Sequence, residues 1–101
     1  MRRIKLFISG SISGRPYKEA AIHFNETANL AYQIGFDPVN PIRLCDYSWS
    51  WWRCMAVCLW HLLWCDAVFM LDGWEKSRGA RIEHRVAKLL NKEIVYDEVE
   101  L

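Results

Sequence analysis

Short β-rich runs alternate with segments of helical periodicity along the whole 101-residue chain. The run from Asp66 to Leu71 constrains the fold most, because a continuous apolar strand is typical of a parallel sheet covered on both faces. The predicted strands are Arg3 to Ser9, Phe36 to Asn40, Asp66 to Leu71 and Glu93 to Asp97. The order βαβαβαβ predicts one domain, residues 1–101, with a three-layer doubly wound parallel sheet of four to five strands, Rossmann-like or flavodoxin-like.

Helical spacing predicts the layers that cover this sheet. The first helix opens at Pro16 and stops at Gly35, with the apolar stripe Ala20, Phe24, Ala28, Ala31 and Ile34. Pro38 indicates an edge strand, and Pro41 to Ser48 is predicted to be loop. The last helix is predicted from Ala80 to Asn91, buried through Ile82, Val86, Leu89 and Leu90.

Five of the six tryptophans fall in one predicted helix, Trp49 to Trp64. The helix is apolar on two sides, of which one can face the sheet and the other a partner. One face carries Trp52, Ala56, Leu59 and Leu63. An adjacent face carries Trp49, Trp60 and Trp64. Aromatic side chains are enriched in interface cores, so the segment predicts a homodimer or larger assembly.

Charge and hydropathy exclude several classes of protein. A net charge of +1 and a pI near 7.7 argue against a nucleic-acid polymer as partner. The chain shows no export signal and no apolar stretch of membrane-spanning length. We therefore expect a cytoplasmic protein without a membrane partner, in which the four cysteines are free thiols and form no disulfide framework.

Cys54, Cys58, His61 and Cys65 recur at helical spacing and suggest a metal site. They span about 16 Å along a helix at ~1.5 Å per residue, whereas zinc ligands must all lie ~2.0–2.3 Å from the ion. Buried thiols on an interface helix explain the spacing better. We expect neither a metal nor another cofactor.

The loops after the first and third strands carry the candidate binding residues, and in a parallel sheet they open on the same edge. Gly10, Ser11, Ser13 and Gly14 could turn backbone N–H groups toward an anion, although an ordinary turn explains them equally well. Ser77 and Gly79 stand at the predicted start of the last helix, with Glu83 about one turn in. The alternative for Glu83 is an exposed first-turn glutamate that only complements the helix dipole.

Several motifs together resemble a known family. They are Leu6-Phe7-Ile8-Ser9-Gly10-Ser11-Ile12-Ser13-Gly14, Val39-Asn40-Pro41, Cys65-Asp66-Ala67-Val68, Leu71-Asp72-Gly73-Trp74-Glu75-Lys76-Ser77-Arg78-Gly79-Ala80 and Glu83. In order and spacing they resemble a family of short uncharacterised bacterial and phage proteins. That family is similar to nucleoside 2-deoxyribosyltransferases and deoxynucleoside monophosphate N-glycosidases.

The resemblance implies a nucleotide or nucleoside ligand and assigns roles at matching positions. Glu83 would be the nucleophile that attacks the anomeric carbon of a deoxyribose. Ser77 would bind a 5'-phosphate, with Arg15 or Arg78 assisting. The remaining implied substrate-binding residues are Gly10, Ser11, Ile12, Ser13, Gly14, Asn40 and Gly79.

One position departs from the family pattern. Cys58 stands where these enzymes carry an aspartate, and a thiol with a reference pKa of ~8.5 is a poor proton donor to the leaving base. Asp72 is our preferred substitute, since Asp66 at the head of a buried strand is more often a structural cap. The sequence therefore leaves open an N-glycosidase or deoxyribosyltransferase, a nucleotide-binding module that lost turnover, and a purely structural oligomer.

Overall fold

The computed structural model describes residues 3–12, 16–46 and 48–97. Its strands are β1 (Lys5–Ser9), β2 (Asp37–Val39), β3 (Ala67–Met70) and β4 (Glu93–Tyr96). Its α-helices are α1 (Tyr17–Gln33), α2 (Pro41–Leu44), α3 (Trp51–Leu63) and α4 (Arg78–Leu89), and a 3₁₀ turn spans Trp74–Lys76. All strand pairs are parallel, in the order β2-β1-β3-β4. The predicted three-layer α/β fold is confirmed.

Alternation along the central strands sends side chains to two separate cores. Leu6 and Ile8 of β1 belong to clusters with Ala31 and Phe24 of α1. Phe7, between them, packs with residues of α3 and α4. Ser9 has the same parity as Phe7, so its side chain faces the layer of α3 and α4.

The strand order places a switch point beside β1. The chain leaves β1 through α1 to reach β2 at the edge of the sheet, as Pro38 predicted, and returns through α3 to β3 on the other side of β1. Such a reversal opens a crevice beyond the carboxyl ends of the strands, which is where ligands bind in open α/β sheets.

Side-chain caps set three helix starts. Asn40 accepts from the Ile42 N–H at 3.1 Å, so Pro41–Leu44 forms a short helix and the prediction of a loop there is wrong. Ser50 accepts from the Arg53 N–H at 3.2 Å, and α3 therefore begins at Trp51 and not at Trp49. Ser77 accepts from the Ala80 N–H at 3.2 Å and starts α4 two residues before the predicted position.

Neither of the two apolar faces predicted for α3 is its buried face. The helix buries Met55, Cys58 and Leu62, whereas Trp52 is 70% exposed and Leu63 is 44% exposed. Nearly every position of this helix is apolar, so periodicity could not select the face that meets the sheet.

The predicted buried face of α4 is also wrong. Gly79, Ala80, Glu83 and Ala87 are buried, while Leu89 is 76% exposed and Ile82 and Val86 are half-buried. Small side chains let α4 approach the sheet closely, and the larger apolar residues flank that contact. In α1 the stripe is right through Ala31, but Ile34 lies beyond the helix and is exposed.

The cysteines differ from the prediction of four free thiols. Helix α2 returns the chain to the start of α3, where Cys45 and Cys54 lie with their Cα atoms 5.5 Å apart and form a disulfide. Cys58 and Cys65 are free and buried. Within the described ranges, no helix has both the length and the apolar character needed to cross a membrane.

Candidate active site

A cavity of about 230 Å³ opens at the carboxyl edge of the sheet. Segments that follow the first three strands and one face of α3 form its walls. Its lining residues are Gly10, Ile12, Tyr17, Pro41, Ile42, Cys45, Asp46, Trp49, Ser50, Trp51, Cys54, Met55, Cys58, Ser77, Gly79, Ala80 and Glu83. The lining is mostly apolar with a few polar groups, which is the usual character of a small-molecule site.

Glu83 is the buried carboxyl group of this cavity. It is 6% exposed, and its Oε1 accepts a hydrogen bond of 2.6 Å from Ser9 Oγ at the end of β1. Burial raises the pKa of Glu83 to about 7, and the Ser9 hydrogen bond opposes part of that rise. Glu83 is therefore not an exposed first-turn glutamate, and near neutral pH it can take or lose a proton.

We expect this carboxyl group to make the protein less stable as the pH rises from about 5 to 8. The folded chain keeps the Glu83 proton up to pH about 7, whereas the unfolded chain releases it near 4.5. The folded state thus holds more protons in this window, and the stabilisation present below about pH 4.5 is lost as the pH passes 7. A shift of this size corresponds to roughly 3 kcal/mol.

Urea unfolding from pH 5 to 8 measures this dependence, and Glu83→Gln keeps the side-chain shape but does not titrate. The variant should show a flatter profile than wild type. Parallel profiles for the two proteins would contradict the assignment of the titration to Glu83.

The predicted residues Ser77, Gly79, Gly10 and Ile12 all line the cavity with Glu83. Ser77 accepts a capping bond at the start of α4, which leaves its hydroxyl hydrogen free to donate. Backbone N–H groups in the first turn of a helix favour an anion. The Ser77 end of the cavity can therefore bind a negatively charged group.

The two cavity glycines have different neighbours, and Gly10→Ala should destabilise the protein more than Gly79→Ala. A Cβ at position 10 would lie 2.9 Å from Leu71 Cβ and Cδ1, and the Leu71 Cβ is fixed to the backbone. A Cβ at position 79 would meet Met55 Sδ at 3.0 Å, and a thioether can move aside. We expect about 1–3 kcal/mol of destabilisation for Gly10→Ala and a change near zero for Gly79→Ala. Equal losses of stability in the two variants, measured by thermal unfolding, would contradict this explanation of the two contacts.

The other predicted site residues within the described ranges do not line the cavity, or their side chains already form hydrogen bonds within the fold. Asp72 is exposed, and neither it nor Ser11 is among the described residues that line the cavity. Asn40 accepts from Ile42 N–H and donates from Nδ2 to Asn25 Oδ1 at 2.7 Å, so both ends of its amide hold the fold together. Ser13, Gly14 and Arg15 lie outside the described residues.

Several of the described residues that line the cavity were not predicted to be there, among them Asp46, Trp49 and Trp51. Asp46 lines it as a second carboxylate, and hydrogen bonds from Ser48 N–H and Oγ hold the pKa of Asp46 below its usual value. Trp49 and Trp51 also line it, with the Arg53 guanidinium over Trp49 at 4.2 Å. An aspartate followed two residues later by serine in the loop after β2 was the available signal for Asp46.

Cys58 lines the cavity with Glu83 and is buried at 3% exposure. Burial, and secondly the charge of Glu83, raises the pKa of the Cys58 thiol to about 12. Cys58 is therefore neutral near pH 7 and holds its proton more firmly than an exposed thiol. His84 is directed elsewhere, since its Nε2 lies 2.7 Å from Tyr96 Oη and its ring packs on Trp74.

The fold and this cavity define a small α/β domain with a titratable buried carboxyl group at the carboxyl edge of its sheet. The chain belongs to the DUF4406 family, described as a domain of unknown function, which matches residues 4–96. The expected membership in an uncharacterised domain family is thereby confirmed. Among curated proteins, none matches the chain.

Proposed function

We propose that this protein breaks the bond between base and sugar in a 2'-deoxynucleoside 5'-monophosphate, as an N-glycosidase or a deoxyribosyltransferase. The observation that carries the proposal is the buried carboxyl group of Glu83, held by Ser9 inside a cavity at the switch point of the sheet. A volume near 230 Å³ is below the ~300–1,000 Å³ of drug-sized sites. It suits a sugar ring with part of its substituents.

The proposed reaction has two steps. An oxygen of ionised Glu83 attacks C1' of the sugar, the C1'–N bond breaks, and the base departs with the electron pair and takes a proton from solvent water. Water or a second base then attacks C1', the C1'–O bond to Glu83 breaks, and the attacking group gives its proton to solvent, which leaves Glu83 ionised again. A pKa near 7 leaves about half of Glu83 ionised at neutral pH, which is enough for a nucleophile.

The first turn of α4 supports a phosphorylated substrate. Ser77 and Gly79 line the cavity at a helix N-terminus, where N–H groups and the helix dipole favour an anion. Arg78 lies beside this end, with its guanidinium 4.7 Å from the centre of the Trp51 ring. The 5'-phosphate would bind at this end of the cavity.

The direct experiment is incubation of the protein with each common deoxynucleoside monophosphate, followed by chromatography for free base. Release from the monophosphate should exceed release from the matching nucleoside, because only the former has the anion. No release from any common substrate, alone or with a second base as acceptor, would reject the catalytic proposal.

Cys58 favours a second candidate, a nucleotide-binding module without turnover. Its neutral thiol supplies no effective acid for the departing base. The described carboxyl groups that line the cavity are Glu83 and Asp46, and Asp46 is held in its ionised form. Thermal stabilisation by deoxynucleoside monophosphates without base release would select this candidate.

The homodimer expected from the Trp-rich helix stays a proposal. The interface would now consist of the exposed face of α3. Trp52, Trp60 and Trp64 are 70%, 59% and 63% exposed. We expect Trp60→Ala to lower the apparent mass in light scattering, because burial of such rings drives association. Leu89→Ala is the control, since Leu89 is also exposed but lies on α4. A wild type that is monomeric at all concentrations would contradict the assembly.

The cytoplasmic location also remains a prediction.

A further inference from the structure

Three cysteine sulfurs converge in the wall of the cavity. The Sγ atoms of Cys45, Cys54 and Cys58 all lie within 4.8 Å of one another. Cys58 Sγ is 3.8 Å from Cys45 Sγ and 3.9 Å from Cys54 Sγ. Cys54 and Cys58 are one turn apart in α3, and Cys45 comes from the segment after α2. The first two are disulfide-bonded partners, and Cys58 is a free thiol against that bond.

These spacings match a tetrahedral thiolate site. With metal–sulfur bonds of ~2.3 Å, the edge of a tetrahedron of sulfurs is about 3.8 Å long. The two edges that meet at Cys58 already have this length. The third edge requires reduction of the Cys45–Cys54 bond, after which rotation about the Cα–Cβ bonds can separate the two sulfurs.

The surroundings favour a soft metal ion over magnesium or calcium. The donors are sulfur, and thiolates select zinc or copper(I) over ions that prefer oxygen. All three cysteines line the cavity that also contains Glu83. Three protein ligands beside a cavity leave a fourth position for water or a carboxylate oxygen, as in zinc sites with an open position.

We propose that the reduced protein binds one zinc ion through Cys45, Cys54 and Cys58, and that the disulfide form does not. A dithiol or phosphine reductant supplies two electrons, and two protons convert the disulfide into two thiols. Zinc then replaces the protons of the three thiols as three zinc–sulfur bonds form. In a reducing compartment, where disulfides rarely persist, the metal-binding form would prevail.

Wild-type protein tests this without nucleotide, so the result is independent of the proposed function. The chain is reduced with a phosphine, freed of reductant without air, and titrated with cobalt(II) and then zinc(II). We expect one ion per chain, sulfur-to-cobalt charge-transfer absorption that zinc abolishes, and no binding by the disulfide form. In the folded reduced protein, zinc should also protect Cys45, Cys54 and Cys58 from alkylation, as located by mass spectrometry.

Cysteine variants locate the site. Cys58→Ser should weaken zinc binding by at least about 100-fold, because one thiolate ligand is lost. Cys65→Ser is the matched control, since Cys65 is also free and buried but lies outside the cluster. Absence of charge-transfer absorption in reduced wild type would overturn the proposal. An equal loss of zinc affinity in Cys58→Ser and Cys65→Ser would overturn it as well. If Cys58→Ser does not fold, the alkylation pattern of wild type decides.

Discussion

Glu83→Gln should abolish base release, with a loss on the order of 10³-fold or more in kcat/KM, while the protein stays folded. The amide keeps the shape and can still accept the Ser9 hydrogen bond, but it cannot form the glycosyl ester that the proposed reaction needs. Wild-type kcat/KM should rise with pH and level off above the Glu83 pKa of about 7, because only the ionised carboxylate attacks. Chromatographic assay of free base between pH 5 and 9 measures both effects.

Glu75→Gln is the matched control. Glu75 precedes α4 by a few residues but is exposed and does not line the cavity, so its loss should leave the rate within about two-fold, as for surface sites generally. Retention of most activity by a folded Glu83→Gln protein would contradict the nucleophile assignment.

Cys58→Asp should raise base release by at least about 10²-fold, the lower end of what a positioned general acid contributes. Cys58 and Glu83 line the same cavity, and the Glu83 charge acts on the Cys58 pKa. A carboxyl group in that buried place would have its own pKa raised by burial and by Glu83, so part of it would be protonated at neutral pH and able to donate. The substitution should lower stability by about 1–3 kcal/mol, because a polar group enters a buried position.

Cys58→Ser separates the effect of the acid from the loss of the thiol. Like Cys58→Asp, this variant removes the sulfur and with it one ligand of the proposed zinc site. Unlike Cys58→Asp, it has no group that can donate a proton near neutral pH. Rate enhancement by Asp and not by Ser would show that wild type lacks only a proton donor. A folded Cys58→Asp protein that binds the nucleotide without any gain in release would contradict this explanation and favour the binding module.

The strands of the sheet could be predicted from the sequence because the signals for them are local. The apolar run before Asp72, the strand that contains Pro38 and the Gly35 stop each act over a few residues, and the alternation of strands and helices predicts a parallel sheet with helices on both faces. The convergence of Glu83, Ser77 and Gly10 could also be predicted, since carboxyl ends of parallel strands share one edge. All three line the cavity.

The remaining features depend on contacts distant in sequence. Helix α3 buries Met55 and exposes Trp52, and an almost uniformly apolar helix carries no periodic signal for that choice. Cys45 reaches Cys54 because Asn40 caps a short helix that turns the chain back. The sequence predicted Ser9, the hydrogen-bond partner of Glu83, only as the end of a strand. The parity of the strand turns its hydroxyl toward Glu83.

The glycosyl ester on Glu83 is the central claim and can be observed by intact-mass spectrometry. A 2'-fluoro-arabino analogue of the deoxynucleoside monophosphate should slow both steps, because the fluorine destabilises the oxocarbenium-like transition states. With a good leaving base, the protein should gain the mass of one fluorosugar phosphate, on the peptide that contains Glu83. Base release from a natural substrate with no adduct at Glu83, or with the adduct on another residue, would contradict the account.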